Sequence, residues 1–225
     1  MSVPILELSG ISKTFVSGDE TLRVLSGVDL AVRAGESVAI TGPSGSGKST
    51  LLGIMAGLER PSDGRVRRDG ADTAGWTEDQ LAYWRRRRLG FVFQSFRLVP
   101  TLTALENASL PLELLGIPPA EAGEKAGALL RSLGLESRLH HRPAALSGGE
   151  QQRVAIARAY AHGPGLILAD EPTGSLDRAT ADKVLAALLD INARSGAALV
   201  VVTHDSALAK ALGRSVSLEG GRTVP

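Results

Sequence analysis

Two short stretches of this 225-residue chain carry side chains suited to phosphate chemistry. The first, "GPSGSGKS" at 42–49, fits G-x-x-x-x-G-K-[ST]; it follows the apolar run "SVAIT" (37–41) and opens the helical run "KSTLLGIMAGL" (48–58). Gly42, Gly45 and Gly47 permit backbone conformations that turn several N–H groups inward. The partial positive end of the following helix adds to them, so a polyphosphate is favoured there. Lys48 would reach the terminal phosphates and Ser49 would ligate Mg2+. The second stretch, "LILADEP" at 166–172, is an apolar strand with Asp170 emerging at its carboxyl end, where open α/β sheets place ligands. Asp170 would hold Mg2+ through water, and Glu171 would orient and deprotonate an attacking water. By itself an apolar run closed by Asp-Glu also fits a strand ending in a solvated turn. The phosphate loop in the same chain favours the hydrolytic reading.

A second glycine-rich helix start, "LSGGEQQR", occupies 146–153. Ser147 and Glu150 have the S-x-x-E spacing of a capping box, and "EQQRVAIARAYAH" continues as a helix. A capped helix start with two side-chain-free residues is also an anion site. The chain's own phosphate loop does not need it.

Several elements must position these residues. Apolar strands at 37–41, 90–93, 166–170 and 198–204 alternate with helical stretches, which predicts a parallel sheet covered by helices. Residues 24–36 read as a strand pair or ribbon. Between 94 and 150 no strand is expected, and 119–135 reads as an amphipathic helix. One domain over 1–225 is expected, with a catalytic core at about 1–93 and 151–225 and a helical lobe at about 94–150 inserted in it. "RRRR" at 85–88 has two readings, a contact for nucleic acid or lipid headgroups, or the solvated end of a helix beginning near Thr77.

Composition sets limits on partners. The 25 basic and 24 acidic residues leave a formal net charge of +1, so no global field favours nucleic acid or anionic lipid. Zero cysteines exclude a disulfide framework and thiolate metal sites. His140 and His141 have no partner spacing and are assigned no metal. Apolar runs such as "AALVVV" fall far short of the roughly 18–20 residues that span a bilayer, and the amino terminus lacks a secretory pattern. A cytoplasmic chain that reaches a membrane only through a partner is expected.

With the phosphate loop, "LSGGE" and "LADEP" in this order, the chain resembles the nucleotide-binding subunits of ATP-binding-cassette (ABC) systems over nearly its whole length. The resemblance implies an α/β, P-loop NTPase fold of the ABC ATPase type. That fold has a mainly parallel sheet core, an antiparallel β part and an inserted helical subdomain. It implies ATP with Mg2+, held by Gly42, Pro43, Ser44, Gly45, Ser46, Gly47, Lys48, Ser49 and Thr50. Phe15 in "SKTF" resembles the aromatic that stacks on adenine, where the family more often has Tyr. Ser147, Gly148 and Gly149 would bind the γ-phosphate of ATP held by a second chain, which implies a homodimer. Glu150 stands where Gln is commoner. Gln94 in "FVFQS" resembles the glutamine that senses Mg2+, water and the membrane partner. His204 in "VVTHD" resembles the switch histidine at the γ-phosphate, and "GSLD" (174–177) the dimer-contacting loop. The catalytic set is then Glu171, His204 and Gln94, and the Mg2+ set Ser49, Gln94 and Asp170. Read as residues alone, Phe15 also fits a core aromatic, Gln94 a strand-end polar group and His204 a structural histidine.

The stretch 95–116, "ADEPTGSLD" and the extension "VSGDETLRVL" (16–25) resemble the LolD/MacB/YbbA-like branch of lipoprotein-release and macrolide-export ATPases. That branch implies an integral membrane permease of the FtsX/MacB type and a peripheral position on the inner face of the plasma membrane. It implies no nucleic acid and no insertion of this chain into the bilayer. From the residues themselves, Leu98, Val99, Pro100 and Leu102 are apolar positions in a surface loop suited to docking a partner helix. The alternative is a soluble ABC ATPase acting on nucleic acid or ribosomes. Against it, no sustained heptads lie between Gln94 and Leu146, and the chain carries one phosphate loop.

Overall fold

The computed structural model describes residues 3–18 and 20–224, so Asp19 of the 16–25 extension lies outside it. The chain divides into two compact units, Met1–Arg85 with Ala198–Pro225, and Arg86–Ala197. The first holds β1 (Leu6–Ser17), β2 (Glu20–Val32), β3 (Ser37–Thr41), α1 (Lys48–Met55), β4 (Asp63–Arg68), β5 (Ala71–Asp72) and most of α2 (Glu78–Arg88). The second holds β6 (Leu89–Val92), α3 (Ala104–Leu114), α4 (Pro119–Ser132), α5 (Gly148–Tyr160), β7 (Leu166–Asp170) and α6 (Arg178–Ser195). The chain then returns to the first unit with β8 (Ala198–Val202), α7 (Ser206–Ala211), β9 (Arg214–Glu219) and β10 (Arg222–Val224).

In the first unit β3 pairs in parallel with both β8 and β9, Val38 lying opposite Val200 and Arg214. All five residues of β8 are buried, as expected of a strand covered on both faces. The strand ends at Val202 rather than His204. Thr203 turns its N–H to the Ile40 carbonyl and its hydroxyl accepts from the N–H of Asp205, which caps α7. The ribbon expected at 24–36 is instead one long strand, β2, antiparallel to β1 from Val32 to Glu20. A turn at Arg33–Glu36 closes it, with the Arg33 N–H donating to the Glu36 carboxylate. β1 also pairs with β4, and β4 with β5, all antiparallel.

α1 stops at Met55 instead of continuing to Leu58, because Gly57 enters the left-handed region at φ 67°. The buried Arg68 secures that end. Its guanidinium donates to the Ile54 carbonyl at 2.7 Å and to the Thr73 hydroxyl, and lies 5.1 Å from the Trp84 ring. Burial, with Arg85 second, pulls its pKa down to about 10, still high enough to keep a cation at the negative end of α1. Arg85–Arg88 form the last turn of α2, as the helix-end reading predicts. Arg85 is half-buried and donates to the Gly57 carbonyl.

In the second unit β6 and β7 pair in parallel, Leu89 opposite Leu166. α3 opens with a capping box, the Thr103 hydroxyl accepting from the Glu106 N–H while the Glu106 carboxylate accepts from the Thr103 N–H. α4 begins at Pro119, where the missing N–H is harmless, and ends at Ser132, short of the expected 135. α5 buries Val154, Ala155, Ile156 and Ala157 completely, and its Tyr160 hydroxyl donates to Asn192 of α6 at 3.0 Å. Among the described residues no helix is long and apolar enough to cross a membrane.

Candidate functional site

The loop after β3 needs its glycines for two separate reasons. Gly42 has φ 144° and lies against the Leu218 backbone, so a Cβ there would run into that carbonyl oxygen. Gly47 is the residue before α1, at φ 98°, and a Cβ would lie 2.8 Å from Leu25 Cδ2. No side chain caps α1 and no acid sits in its first turn. The first N–H groups therefore keep the helix's partial positive charge without a local anion. Lys48 folds back over the loop, Nζ donating to the carbonyls of Gly42 at 2.9 Å and Pro43 at 2.7 Å. Ser46 is buried, and its hydroxyl finds no hydrogen-bond partner among the described residues.

Gly42 and His204 line one open cavity of about 590 Å³, together with Thr41, Lys210 and Arg214. Neither Phe15 nor Lys48 is part of it. Phe15 stands on β1 opposite Leu22 of β2, 40% exposed, with the Lys13 ammonium 4.9 Å from its ring centre. That exposure removes the core reading of Phe15 and leaves an aromatic face available to a planar ligand.

In the second unit Asp170 ends β7, and Glu171 follows with φ 44°, a left-handed conformation rare outside glycine. The turn closes with the Gly174 N–H on the Glu171 carbonyl at 3.0 Å. Gln94 is held against this turn. The Ser175 hydroxyl donates to its carbonyl at 3.0 Å, and a Cβ on Gly174 would lie 3.0 Å from its Nε2. After Gln94 the loop is pinned rather than loose. Arg158 donates to the carbonyls of Phe96 and Arg97, and Asn107 bonds Val99 through both its N–H and carbonyl. Val99 and Pro100 are exposed, as the surface-loop reading expects, while Leu98 and Leu102 are half-buried.

Ser147 caps α5 in a complete box, its hydroxyl accepting from the Glu150 N–H and its own N–H donating to Glu150 Oε2 at 2.7 Å. Arg138 Nε meets Glu150 Oε1 at 2.9 Å. That ion pair first, then the Ser147 N–H, hold the Glu150 carboxyl down to about 2. The two glycines also serve packing: a Cβ on Gly149 would clash with the Thr180 methyl, and one on Gly148 would lie 3.2 Å from Leu176. Arg138, Arg158 and Gln152 were not singled out from sequence. Gln152 is fully buried on α5, its Nε2 donating to the Pro172 carbonyl at 2.6 Å and the Phe93 carbonyl at 3.4 Å.

A family model described as ABC transporter matches residues 25–174 of this chain. The chain belongs to the ABC transporter family. The macrolide export ATP-binding/permease protein MacB of Sodalis glossinidius (strain morsitans) is 48% identical over 224 residues, covering 100% of this chain and 34% of that protein. The lipoprotein-releasing system ATP-binding protein LolD of Anaeromyxobacter dehalogenans (strain 2CP-C) is 50% identical over 225 residues, covering 100% of this chain and 94% of that protein. The chain thus spans about a third of the MacB relative and nearly the whole of the LolD relative. A dimeric structure of an ATP-binding cassette in a post-hydrolysis state, bound to ADP and Pi, superposes with a TM-score of 0.90 at 42% identity. It covers 98% of this chain and 97% of that one. As an ABC family member the chain has the expected fold class, α/β with parallel and antiparallel pairing and helices.

Proposed function

We propose that this chain is the ATP-binding and ATP-hydrolysing subunit of an ABC transporter, coupling ATP-driven pairing of two copies to a membrane permease of the lipoprotein-release/macrolide-export type. The observation that carries this reading is the start of α1, an uncapped, acid-free helix terminus with Gly47 at φ 98° and Lys48 folded over the loop. Phosphates bound there draw the Lys48 ammonium away from the Gly42 and Pro43 carbonyls. Gly42 to Thr50 hold the triphosphate, Phe15 stacks on the adenine, and His204 contacts the γ-phosphate. Ser147, Gly148 and Gly149 of the second copy bind that phosphate in trans.

Ser49, Gln94 and Asp170, the last through water, are the donors assigned to Mg2+. Their hard-donor chemistry suits this ion. Among the described residues no group of three His, Cys, Asp or Glu gathers to hold a metal; in this reading oxygens of the nucleotide and of water would supply further donors. Bound there, Mg2+ neutralises charge on the phosphate oxygens. Glu171 orients a water and takes its proton while the water oxygen bonds to the γ-phosphorus. The bond to the β–γ bridging oxygen breaks, leaving ADP and phosphate. The helical segment at about 94–150 is the permease-facing part, and the chain sits peripherally on the inner face of the membrane.

Glu171→Gln tests the reaction. Turnover falls by about 10²–10⁴ while calorimetry shows ATP affinity retained; an undiminished steady-state rate rejects the role. Recovery with membranes only when the permease is co-expressed supports the transporter reading, and permease-independent co-purification with nucleic acid overturns it.

A further inference from the structure

We infer that Gln152 is a positioning residue that ties the turn carrying Glu171, and the segment just after β6 that carries Gln94, to α5. The inference rests on Glu171 being the base proposed above. Three observations lead to it. Gln152 is wholly buried, yet its Oε1 finds no hydrogen-bond partner among the described residues. An apolar side chain of similar length would fill the same space but leave the Pro172 and Phe93 carbonyls without this donor, so the amide is there for those two bonds and not for packing. The amide orientation is fixed, because the two atoms it faces, the carbonyls of Pro172 and Phe93, are both acceptors. Those carbonyls flank the two side chains of interest: Pro172 follows Glu171 and Phe93 precedes Gln94.

The turn it clamps is also the strained one. Glu171 sits at φ 44°, and a residue held there persists only when its surroundings over-determine it. The Gly174 N–H fixes the Glu171 carbonyl from one side, the Ser175 hydroxyl fixes the Gln94 carbonyl, and Gln152 closes the circuit from the helix. Ser147 lies five residues earlier on the same segment, about 7–8 Å along the axis. Seating of α5 and placement of Glu171 are therefore one mechanical event, and losing the clamp misplaces the base without touching the nucleotide loop.

The test compares Gln152→Met and Gln152→Asn with Tyr160→Phe, which deletes an equally buried hydrogen bond of the same helix. Both Gln152 variants lower kcat tenfold or more with KM for ATP and calorimetric ATP affinity within about twofold of the parent. Tyr160→Phe lowers Tm comparably and leaves kcat in place. Equal kcat in the three variants and the parent overturns the inference, as does a kcat loss in Tyr160→Phe matching its Tm loss. The Asn variant keeps a polar group in the site and reads the same effect where Met does not fold. Glu171→Gln separates the two claims. Full turnover there rejects the base itself, whereas lost turnover there with normal Gln152 variants rejects only the clamp.

Discussion

Two helices of this chain start on glycine-rich sequence, and their N-termini are built in opposite ways. α1 begins behind Gly47 with no side-chain cap and no acid in its first turn. α5 begins behind Ser147 with a closed capping box and a Glu150 carboxylate, itself paired to Arg138. An open start leaves its first N–H groups to water or to a ligand, because they lack intrahelical partners. A closed start pairs its Ser147 and Glu150 N–H groups within the chain. Similar spelling therefore yields an open helix start in one place and a closed one in the other, which fits the proposed roles of a primary phosphate cradle and a secondary surface offered to a second copy.

The widest separation between the two starts comes from Ser147→Arg and Lys48→Ala. The first leaves ATP binding intact, abolishes nucleotide-induced dimerisation and takes turnover to background. The second removes a charged donor from the phosphates and weakens ATP binding by about a hundredfold in calorimetry. If Ser147→Arg hydrolyses normally, α5 is a capped helix and nothing more. Unchanged affinity in Lys48→Ala moves the phosphates off α1.

The glycines sharpen the contrast at a smaller scale. Gly47 is bound by its own dihedral as well as its neighbours, so Gly47→Ala destabilises whatever is done to Leu25. Gly149 is bound by one methyl group of Thr180. Gly149→Ala should cost about 1–3 kcal/mol, several degrees of Tm, and Thr180→Ser in the same chain should recover most of it. Failure of that rescue would show that Gly149 is fixed by something other than packing.

The same contrast explains what the sequence made legible. β3, β7, α1 and α5 are short, periodic and bounded by punctuating residues, and the motifs sit at their ends. β1 was hidden because irregularities between Leu8 and Ile11, and again near Lys13, break the two-residue alternation over its length. α3 had a readable Thr103 and Glu106 box, but Pro111 inside it masks the helical pattern. Among the candidate site residues, Lys48, Glu171 and Ser147 are legible because each belongs to a local spelling. Gln152 is not, since a polar residue on a helix reads as solvated until the carbonyls it meets, from residues 59 and 20 positions away, are known. Arg138 was hidden for the same reason, reaching Glu150 across a stretch of short turns.

The smallest expected effect decides whether the closed start is also electrically neutral by design of its surroundings. Arg138→Gln leaves the Glu150 carboxylate unpaired beside Ser147, Gly148 and Gly149, the residues proposed to receive a phosphate of ATP held by the second copy. Because the pair is partly exposed, nucleotide-induced dimerisation should weaken by only about fivefold, about 1 kcal/mol. Adding Glu150→Gln to that variant removes the uncompensated charge and should restore dimerisation. A double variant as weak as Arg138→Gln alone means the arginine acts through packing instead. The pH dependence gives a second reading of the pair. Folding lowers the Glu150 carboxyl from 4.5 to about 2, so its stabilisation is complete above about pH 4.5 and lost as pH falls towards 2. The parent should therefore lose its Tm advantage over Glu150→Gln across that window, and an advantage that does not shrink there would mean that Glu150 titrates normally in the folded chain.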